Sequence, residues 1–262
     1  MRNLLNTGWH FLAKKLEKYV NISKEEFEMI ADKTEAISSE LKEWAGEGEH
    51  ELISIGQNCN SSWYIKETDQ KKASYPFDWI ATSPEILIDI LKDDFRKFLD
   101  KEQMISKGFR AGHKVYHSDM YGHRNPVKSK SDLAYFERGV SRWRQMMAEQ
   151  RPALLITTVV NEPNKRPLYS EGFVQEMPLP QSQNLEDFKD VIALFQSKNP
   201  NFKFLFIEQY TEKEFKFEIL NKSDVVCWLR FDSIGSNTGV KYLNSIDEQV
   251  MKSVVKAIGN KE

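Results

Sequence analysis

Four short apolar runs, rich in β-branched and aromatic residues, constrain the fold of this chain most. The runs are residues 52–55, 153–160, 202–207 and 225–229. Longer stretches with helical periodicity separate them, at residues 84–99, 133–149, 185–196 and 246–258. Strands this apolar are buried on both faces, which requires a parallel or mixed sheet that helices cover. The sequence therefore predicts an α/β fold with a parallel or mixed central sheet flanked by helices.

A separate helical pattern precedes the first of these runs. Apolar residues recur at three- and four-residue steps near the N-terminus, and Asn21 or Ser23 can cap a second helix. The pattern then changes to alternating strands and helices. We therefore expect an N-terminal helical extension over residues 1–47 and a single α/β domain over residues 48–262. Lysines beside the first apolar face would also suit a membrane-surface helix, although an arm that packs on the domain is the simpler interpretation.

Composition and charge exclude several classes of protein. The chain carries 37 basic and 39 acidic residues and no basic stripe interleaved with aromatics, so nucleic acid is not an expected partner. Its two cysteines, Cys59 and Cys227, lack the spacing of a disulfide framework or a cysteine zinc site. No apolar run approaches the roughly 20 residues that span a bilayer, and no signal peptide is visible. We expect a cytoplasmic protein without a transmembrane segment, and the sequence leaves its oligomeric state open.

The segment from Leu52 to Cys59 joins the first predicted strand to a cysteine. Gly56 ends the apolar run, and Cys59 follows three residues later at the start of a helix that Asn58 or Asn60 can cap. The positive end of a helix dipole lowers the pKa of a cysteine and favours the thiolate. Cys59 is therefore the candidate nucleophile of a cysteine enzyme.

Three histidines lie together in one polar segment and supply candidate bases. His117 can accept the proton of Cys59, and Asp119 can fix the tautomer of His117, as in a nucleophile–base–orienter triad. The same segment offers metal ligands at His113, His117, Asp119 and His123, but it matches no zinc signature. A polar surface loop is the third interpretation. We expect no metal and no other cofactor.

An aromatic segment between Cys59 and the histidines, Tyr75-Pro76-Phe77-Asp78-Trp79-Ile80, carries a single carboxylate. Burying Asp78 between two aromatic rings is costly without a partner. We therefore expect Asp78 to pair with an arginine, a histidine or backbone N–H groups. Asp78 is then either a catalytic residue or the anchor of the turn that follows it.

Several of these motifs together resemble one bacterial family, named as putative papain-like cysteine peptidases. The resemblance is carried by Ser54-Ile55-Gly56-Gln57-Asn58-Cys59, Ser74-Tyr75-Pro76-Phe77-Asp78-Trp79-Ile80 and Tyr116-His117-Ser118-Asp119. Residues 135–143 also resemble an arginine-bearing helix of that family. The resemblance covers residues 50–160 well, and it implies that Cys59 is the nucleophile and His117 the base.

The same resemblance suggests further site residues. The family motif has adjacent His and Asp residues, whereas Ser118 separates them here, so Asp78 or Asn161 can replace Asp119 as the orienting group. Asn58 and the backbone N–H of Cys59 are candidates for an oxyanion hole. The remaining candidates for oxyanion or substrate binding are Gly56, Trp79, Tyr116, Arg138 and Arg142.

These residues predict a cysteine-nucleophile hydrolase, a papain-like peptidase by resemblance, that uses a Cys59–His117 pair on a peptide substrate. The alternative is a CoA-dependent acyltransferase that moves an acyl group from a small-molecule donor to a surface polysaccharide. The donor phosphates would then bind basic residues around the histidines, namely Arg110, Lys114, Arg124 and Lys128. A non-catalytic binding module is the third hypothesis. An enzyme requires the Cys59 sulfur and a His117 nitrogen to lie within about 3–4 Å.

Overall fold

The computed structural model describes residues 22–161, 170–180, 183–211 and 215–259. Its strands, in chain order, are β1 (Glu51–Ser54), β2 (Met104–Lys107), β3 (Arg110–His113), β4 (Ala153–Val160), β5 (Phe202–Thr211), β6 (Lys216–Lys222) and β7 (Val226–Ser233). Five of them form a sheet in the order β1-β4-β5-β7-β6, and β2 and β3 form a separate hairpin. All sheet neighbours are parallel except β6, which runs antiparallel to β7. The predicted mixed sheet is confirmed.

Helices cover both faces of this sheet. They are α1 (Lys24–Ala45), α2 (Asn60–Glu67), α3 (Pro84–Lys92), α4 (Arg96–Leu99), α5 (Lys130–Glu149), α6 (Lys189–Lys198) and α7 (Ser245–Ala257). Residues of α1, α2 and α7 share one hydrophobic core with the sheet, and residues of α3, α4, α5 and α6 share the other. The fold is therefore a three-layer α/β/α arrangement, as the sequence predicted.

The side-chain alternation of the strands builds these two cores. In β4 every residue is buried, with Leu154 and Ile156 in one core and Leu155 in the other. Successive side chains of a strand point to opposite faces, so a strand with helices on both sides is apolar at most positions. Six of the eight residues of β4 are apolar, and the hydroxyls of its two threonines, Thr157 and Thr158, donate to the Gly56 carbonyl and the Asn60 amide oxygen.

The N-terminal helix α1 packs on the same face as α7. Ser23 caps it, because the Ser23 hydroxyl accepts from the Glu26 N–H at 3.1 Å and the Glu26 carboxylate accepts from the Ser23 N–H at 2.8 Å. Near its other end, the Trp44 indole donates to the Ser223 carbonyl at 2.7 Å, and Leu41 is fully buried. The helix predicted over the first 20 residues lies outside the described residues, so the proposed division at residue 47 stays a prediction.

Four features differ from the sequence-based expectation. The single helix predicted over residues 84–99 is divided into α3 and α4, because Asp94 (φ 53°) and Phe95 (φ 62°) adopt left-handed conformations. The predicted helix over residues 185–196 begins as the 3₁₀ turn Leu185–Phe188 before α6. The hairpin β2–β3 and the edge strand β6 were not predicted. In β6, exposed charges such as Lys216 and Glu218 obscure the apolar pattern, as is common where a sheet edge faces water.

Among the described residues, no helix combines the length and the apolar composition needed to cross a membrane.

Candidate active site

A sharp turn between β1 and α2 presents Cys59. Gly56 (φ 87°) and Gln57 (φ 64°) both have positive φ, and Cys59 is the N-cap residue of α2. Thr82 fixes this turn, since its hydroxyl accepts from the Gln57 N–H at 2.6 Å and donates to the Ile55 carbonyl at 3.0 Å. A Cβ on Gly56 would lie 2.5 Å from the Thr82 hydroxyl oxygen, so only glycine fits there. The turn holds the thiol at the carboxyl end of β1.

The thiol of Cys59 contacts a histidine ring. Its Sγ lies 3.3 Å from Nε2 of His123, a residue in the loop between β3 and α5. Cys59 is half-buried, whereas His123 is exposed. The His123 ring packs edge-to-face against Trp79, with ring centroids 5.9 Å apart. The thiol and the imidazole are therefore in hydrogen-bond contact, and the Trp79 indole packs against the imidazole.

The surroundings of the thiol oppose its ionisation. Burial raises the pKa of Cys59 to about 12, and the negative charge of Asp78 adds to this rise. The position at a helix N-terminus predicted a lowered pKa, whereas burial and the charge of Asp78 raise it. A thiol of this kind keeps its proton at neutral pH until a base removes it. The Cys59–His123 contact supplies that base.

The structure replaces the predicted Cys59–His117 pair. Both ring nitrogens of His117 have other partners: Nε2 lies 3.1 Å from the Glu171 carbonyl, and Nδ1 accepts from the Asp119 N–H at 3.0 Å. The ring is buried and packs against Phe173, with centroids 4.5 Å apart. His117 thus fastens the segment around residue 172 to the histidine loop, and it does so through hydrogen bonds that a catalytic base would have to break.

The carboxylates of Asp119 and Asp78, the two acidic candidates for orienting the histidine, interact with other groups. The Asp119 carboxylate lies 3.5 Å from both Lys107 and Arg110 of the hairpin. Asp78 is buried and accepts from the Lys71 ammonium at 2.7 Å and from the Tyr75 N–H at 2.9 Å. The expected backbone partner of Asp78 is therefore present, and its charged partner is a lysine rather than an arginine or a histidine. Within the described part of the chain, neither carboxylate is hydrogen-bonded to a histidine ring.

The two predicted oxyanion donors are already bonded. The Cys59 N–H donates to the Gly239 carbonyl at 2.9 Å, which brings the loop after β7 against the nucleophile. The Asn58 amide donates to the Thr158 carbonyl at 3.2 Å and accepts from the Asn60 N–H at 2.9 Å. These bonds position the turn, so the structure does not support the predicted oxyanion hole.

The other predicted site residues divide between the site and the scaffold. Trp79 contacts His123, as described above, and Gly56 shapes the turn. Tyr116 is buried and donates to the Asp89 carboxylate at 2.7 Å, and Asn161 is buried and donates to the Glu208 carboxylate at 2.7 Å. On α5, Arg142 donates to the Ser74 carbonyl at 3.2 Å, while Arg138 is exposed. Tyr116 and Asn161 thus belong to the scaffold.

An open cleft of about 600 Å³ lies beside Trp79 and does not include Cys59 or His123 in its lining. Its lining residues are Lys66, Asp69, Lys71, Lys72, Ala73, Ser74, Trp79, Arg124 and Tyr135. Trp79 forms part of this lining and also contacts the His123 ring, and Arg124 is the residue after His123. We call this feature the Trp79 cleft. Trp79 is the lining residue that connects this cleft to the His123 ring.

The histidine segment does not assemble a metal site in the described residues, where no group of three or more histidine, cysteine, aspartate or glutamate side chains could hold an ion. His113 is buried and stacks on Tyr116, with its Nε2 2.9 Å from the Lys97 carbonyl. His117 is bonded to backbone groups, and His123 contacts Cys59. The three histidines therefore have separate partners and do not converge on one metal position.

Comparison with known proteins gave one match. The model of a protein family described as "Putative papain-like cysteine peptidase (DUF1796)" matches residues 50–244. Neither the curated proteins nor the solved structures contained a significant match. The matched range includes β1, the turn that carries Cys59, the Trp79 cleft and all the sheet strands.

Proposed function

We propose that this chain, which belongs to the putative papain-like cysteine peptidase family, is a thiol hydrolase with Cys59 as nucleophile and His123 as general base. The observation that carries the proposal is the 3.3 Å contact between the Cys59 sulfur and His123 Nε2. Acyl compounds, and peptides above all, are the substrate class that such a pair attacks. The family match supports the peptide as the natural substrate.

The first half of the reaction forms a thioester on Cys59. The Cys59 S–H gives its proton to His123 Nε2, and the sulfur electron pair forms a bond to the carbonyl carbon of the substrate. The tetrahedral intermediate then collapses, the bond to the leaving group breaks, and the leaving group takes the proton from His123. Because Cys59 starts as a neutral thiol, proton transfer accompanies attack instead of preceding it.

In the second half, water releases the acyl group. A water molecule gives a proton to His123 and attacks the thioester carbonyl, after which the carbon–sulfur bond breaks and Cys59 recovers its proton. Exposure of the His123 side chain gives water direct access to the base. This access favours hydrolysis over transfer to a second substrate, since a transferase must keep water away from its acyl-enzyme.

The non-catalytic binding module is the competing hypothesis. A packing cysteine would be buried and inert, whereas Cys59 is half-buried and hydrogen-bonded to an exposed imidazole. Burial raises the pKa of both thiols to about 12, so the contrast between them lies in access: Cys227 is fully buried in β7, whereas Cys59 is half-buried beside His123. The two cysteines should therefore differ in chemical reactivity.

Acyl-enzyme formation tests the proposal directly. The full chain is mixed with p-nitrophenyl acetate, and the acetylated residue is identified by mass spectrometry of the intact and digested protein. We expect acetyl-Cys59 to form and decay, and His123→Ala to slow its formation by about 10²-fold or more. Cys227→Ser is the matched control and should behave like the original chain. Absence of acetyl-Cys59, or formation at the same rate in His123→Ala, would exclude the mechanism.

A further inference from the structure

The Trp79 cleft has an excess of positive charge. Four of its lining residues are cations, Lys66, Lys71, Lys72 and Arg124, and one lining residue, Asp69, is an acid. The complete chain, in contrast, has a net charge of −2. The positive charge is therefore a local property of this cleft.

Internal ion pairs account for only two of these cations. Lys71 is bonded to the buried carboxylate of Asp78 at 2.7 Å, and Arg124 lies 3.0 Å from the Asp132 carboxylate. Lys66 and Lys72 are exposed and have no ion pair with any residue in the described ranges. Even with both partner carboxylates counted, cations remain in excess. Lys66 and Lys72 are thus available to a ligand.

Aromatic rings alternate with the cations along the cleft. The Lys71 ammonium lies 5.5 Å from the centre of the Trp79 ring, and the Arg124 guanidinium lies 3.7 Å from the centre of the Tyr135 ring. These contacts, together with the ion pairs, hold Lys71 and Arg124 in fixed positions. A cleft that combines two ion-paired cations with two exposed lysines is suited to carboxylate or phosphate groups.

The same cleft leads to the reactive atoms, because Trp79 contacts the His123 ring and Arg124 follows His123 in the chain. We propose that the Trp79 cleft is the recognition subsite for an anionic group, a carboxylate or a phosphate, on the substrate whose acyl carbon reaches Cys59. This inference rests on the proposed function for the identity of that acyl substrate. An acidic peptide and a phosphorylated acyl donor share the chemistry and differ in the source of the anion.

Equilibrium binding tests the subsite without requiring turnover. Isothermal titration calorimetry of the full chain, at constant ionic strength, uses a blocked tetra-aspartate peptide and sodium pyrophosphate as the two anionic probes. A blocked tetra-asparagine peptide is the neutral control. We expect binding of at least one anionic probe, no binding of the neutral peptide, and weaker binding as salt rises. Preference for the peptide or for pyrophosphate identifies the source of the anion.

Charge removal then locates the binding site. The variant Lys66→Gln/Lys72→Gln should weaken binding by about tenfold or more, equivalent to about 1.4 kcal/mol. The matched control Lys33→Gln/Lys216→Gln removes two exposed lysines from α1 and β6 and should leave binding unchanged. Equal losses in both variants, or no binding of either anionic probe, would overturn the proposal.

Two further measurements separate this inference from the proposed function. The Cys59→Ala variant should bind the anionic probe as the original chain does, because the lysines carry the affinity. The bound probe should also slow alkylation of Cys59 by iodoacetamide in the original chain. A reactive Cys59 with no anion binding would reject the subsite and keep the hydrolase, whereas anion binding with an inert Cys59 would reject the hydrolase alone.

Discussion

The side chains of Cys59 and His123 meet at 3.3 Å in surroundings that disfavour a free thiolate. Burial and the charge of Asp78 both raise the pKa of the thiol. The thiol is therefore neutral at rest, and in the proposed mechanism the sulfur becomes nucleophilic only as the imidazole takes its proton. The position of the imidazole would then determine the rate, and Trp79 contacts the imidazole ring.

Replacement of Trp79 should therefore affect reactivity through His123. Trp79→Ala removes the edge-to-face contact and should slow Cys59 alkylation at neutral pH by about tenfold, since a misplaced base loses proton-transfer geometry. Trp79→Phe keeps an aromatic edge and should retain most of the rate. The measurement is the alkylation rate constant of each folded variant. Equal rates for the alanine and phenylalanine variants would show that the indole does not position the base.

His117 should make the stability of the protein depend on pH. Burial lowers its pKa below the usual 6.5, partly offset by the Glu171 carbonyl and the Asp119 charge. The unfolded chain therefore binds a proton near pH 6.5 before the folded chain does, so stability is complete above that pH and falls as the pH decreases through it. Protonation of Nδ1 would also break its bond from the Asp119 N–H.

Urea denaturation at pH 7.5 and pH 5.5, with His117→Asn as the control, measures this effect. The asparagine oxygen can accept from the Asp119 N–H but cannot bind a proton in this range. We expect the original chain to lose more unfolding free energy than the variant between the two pH values, because the unfolded His117 takes up a proton that the buried ring resists. An identical loss in both proteins would show that His117 does not titrate as described.

Sequence reasoning named Cys59, Trp79 and His117 as site candidates, whereas the histidine that contacts the Cys59 thiol is His123. His117 and His123 occupy the same polar segment, and their spacing from Cys59 does not distinguish them. The distinction arises from long-range contacts: Glu171 and Phe173 contact the His117 ring, and Trp79 contacts the His123 ring. Neither contact has a local sequence signal. The same limitation applies to Asn58, whose amide donates to the Thr158 carbonyl of β4.

Among the secondary-structure elements, β1, α2 and the turn between them determine where the thiol lies. The turn combines two successive positive φ values at Gly56 and Gln57 with a threonine that bonds to both sides of it. Strained backbone of this kind persists only when its surroundings hold it. The geometry therefore depends on Thr82, which lies beyond the aromatic segment at residues 75–80.

Alanine substitution at Gly56 should destabilise the protein strongly. The new Cβ would clash with Thr82 at 2.5 Å and would also require a left-handed alanine. Gly108→Ala is the matched control, because Gly108 has φ 66° but open space around its Cβ position. We expect a loss of about 1 kcal/mol for the control and about 3 kcal/mol or more for Gly56→Ala in urea denaturation. Similar losses would indicate that the Thr82 contact relaxes freely.

The strands of the parallel sheet were predictable because burial on both faces leaves a mostly apolar run, as in β4, where Thr157 and Thr158 are the two polar residues. The hairpin β2–β3 was not, since only four residues form each strand and β2 alternates between buried and exposed positions. The break between α3 and α4 was also missed. Asp94 and Phe95 are not residues that favour a left-handed conformation strongly enough to mark a helix end.

For the protein as a complete unit, the apolar face of α1 joins the core on one side of the sheet. Leu41 is as fully buried as Leu205 of β5, and both belong to the same core. Leu41→Ala should therefore cost about 2–5 kcal/mol of unfolding free energy, as Leu205→Ala should. Leu220→Ala, at a position 46% exposed, is the control and should cost less than about 1 kcal/mol. A Leu41 result near the control value would make α1 a dispensable arm.

The Cys59–His123 pair is tested most directly by the rate at which iodoacetamide alkylates Cys59 at pH 7 in a Cys227→Ser background. His123→Ala and His117→Asn are compared with the parent, and circular dichroism verifies that each variant is folded. If His123 is the base, His123→Ala slows alkylation by about 10²-fold and His117→Asn leaves the rate within a few-fold of the parent. Slow alkylation in His117→Asn together with an unchanged rate in His123→Ala would contradict the assignment of His123 as the base.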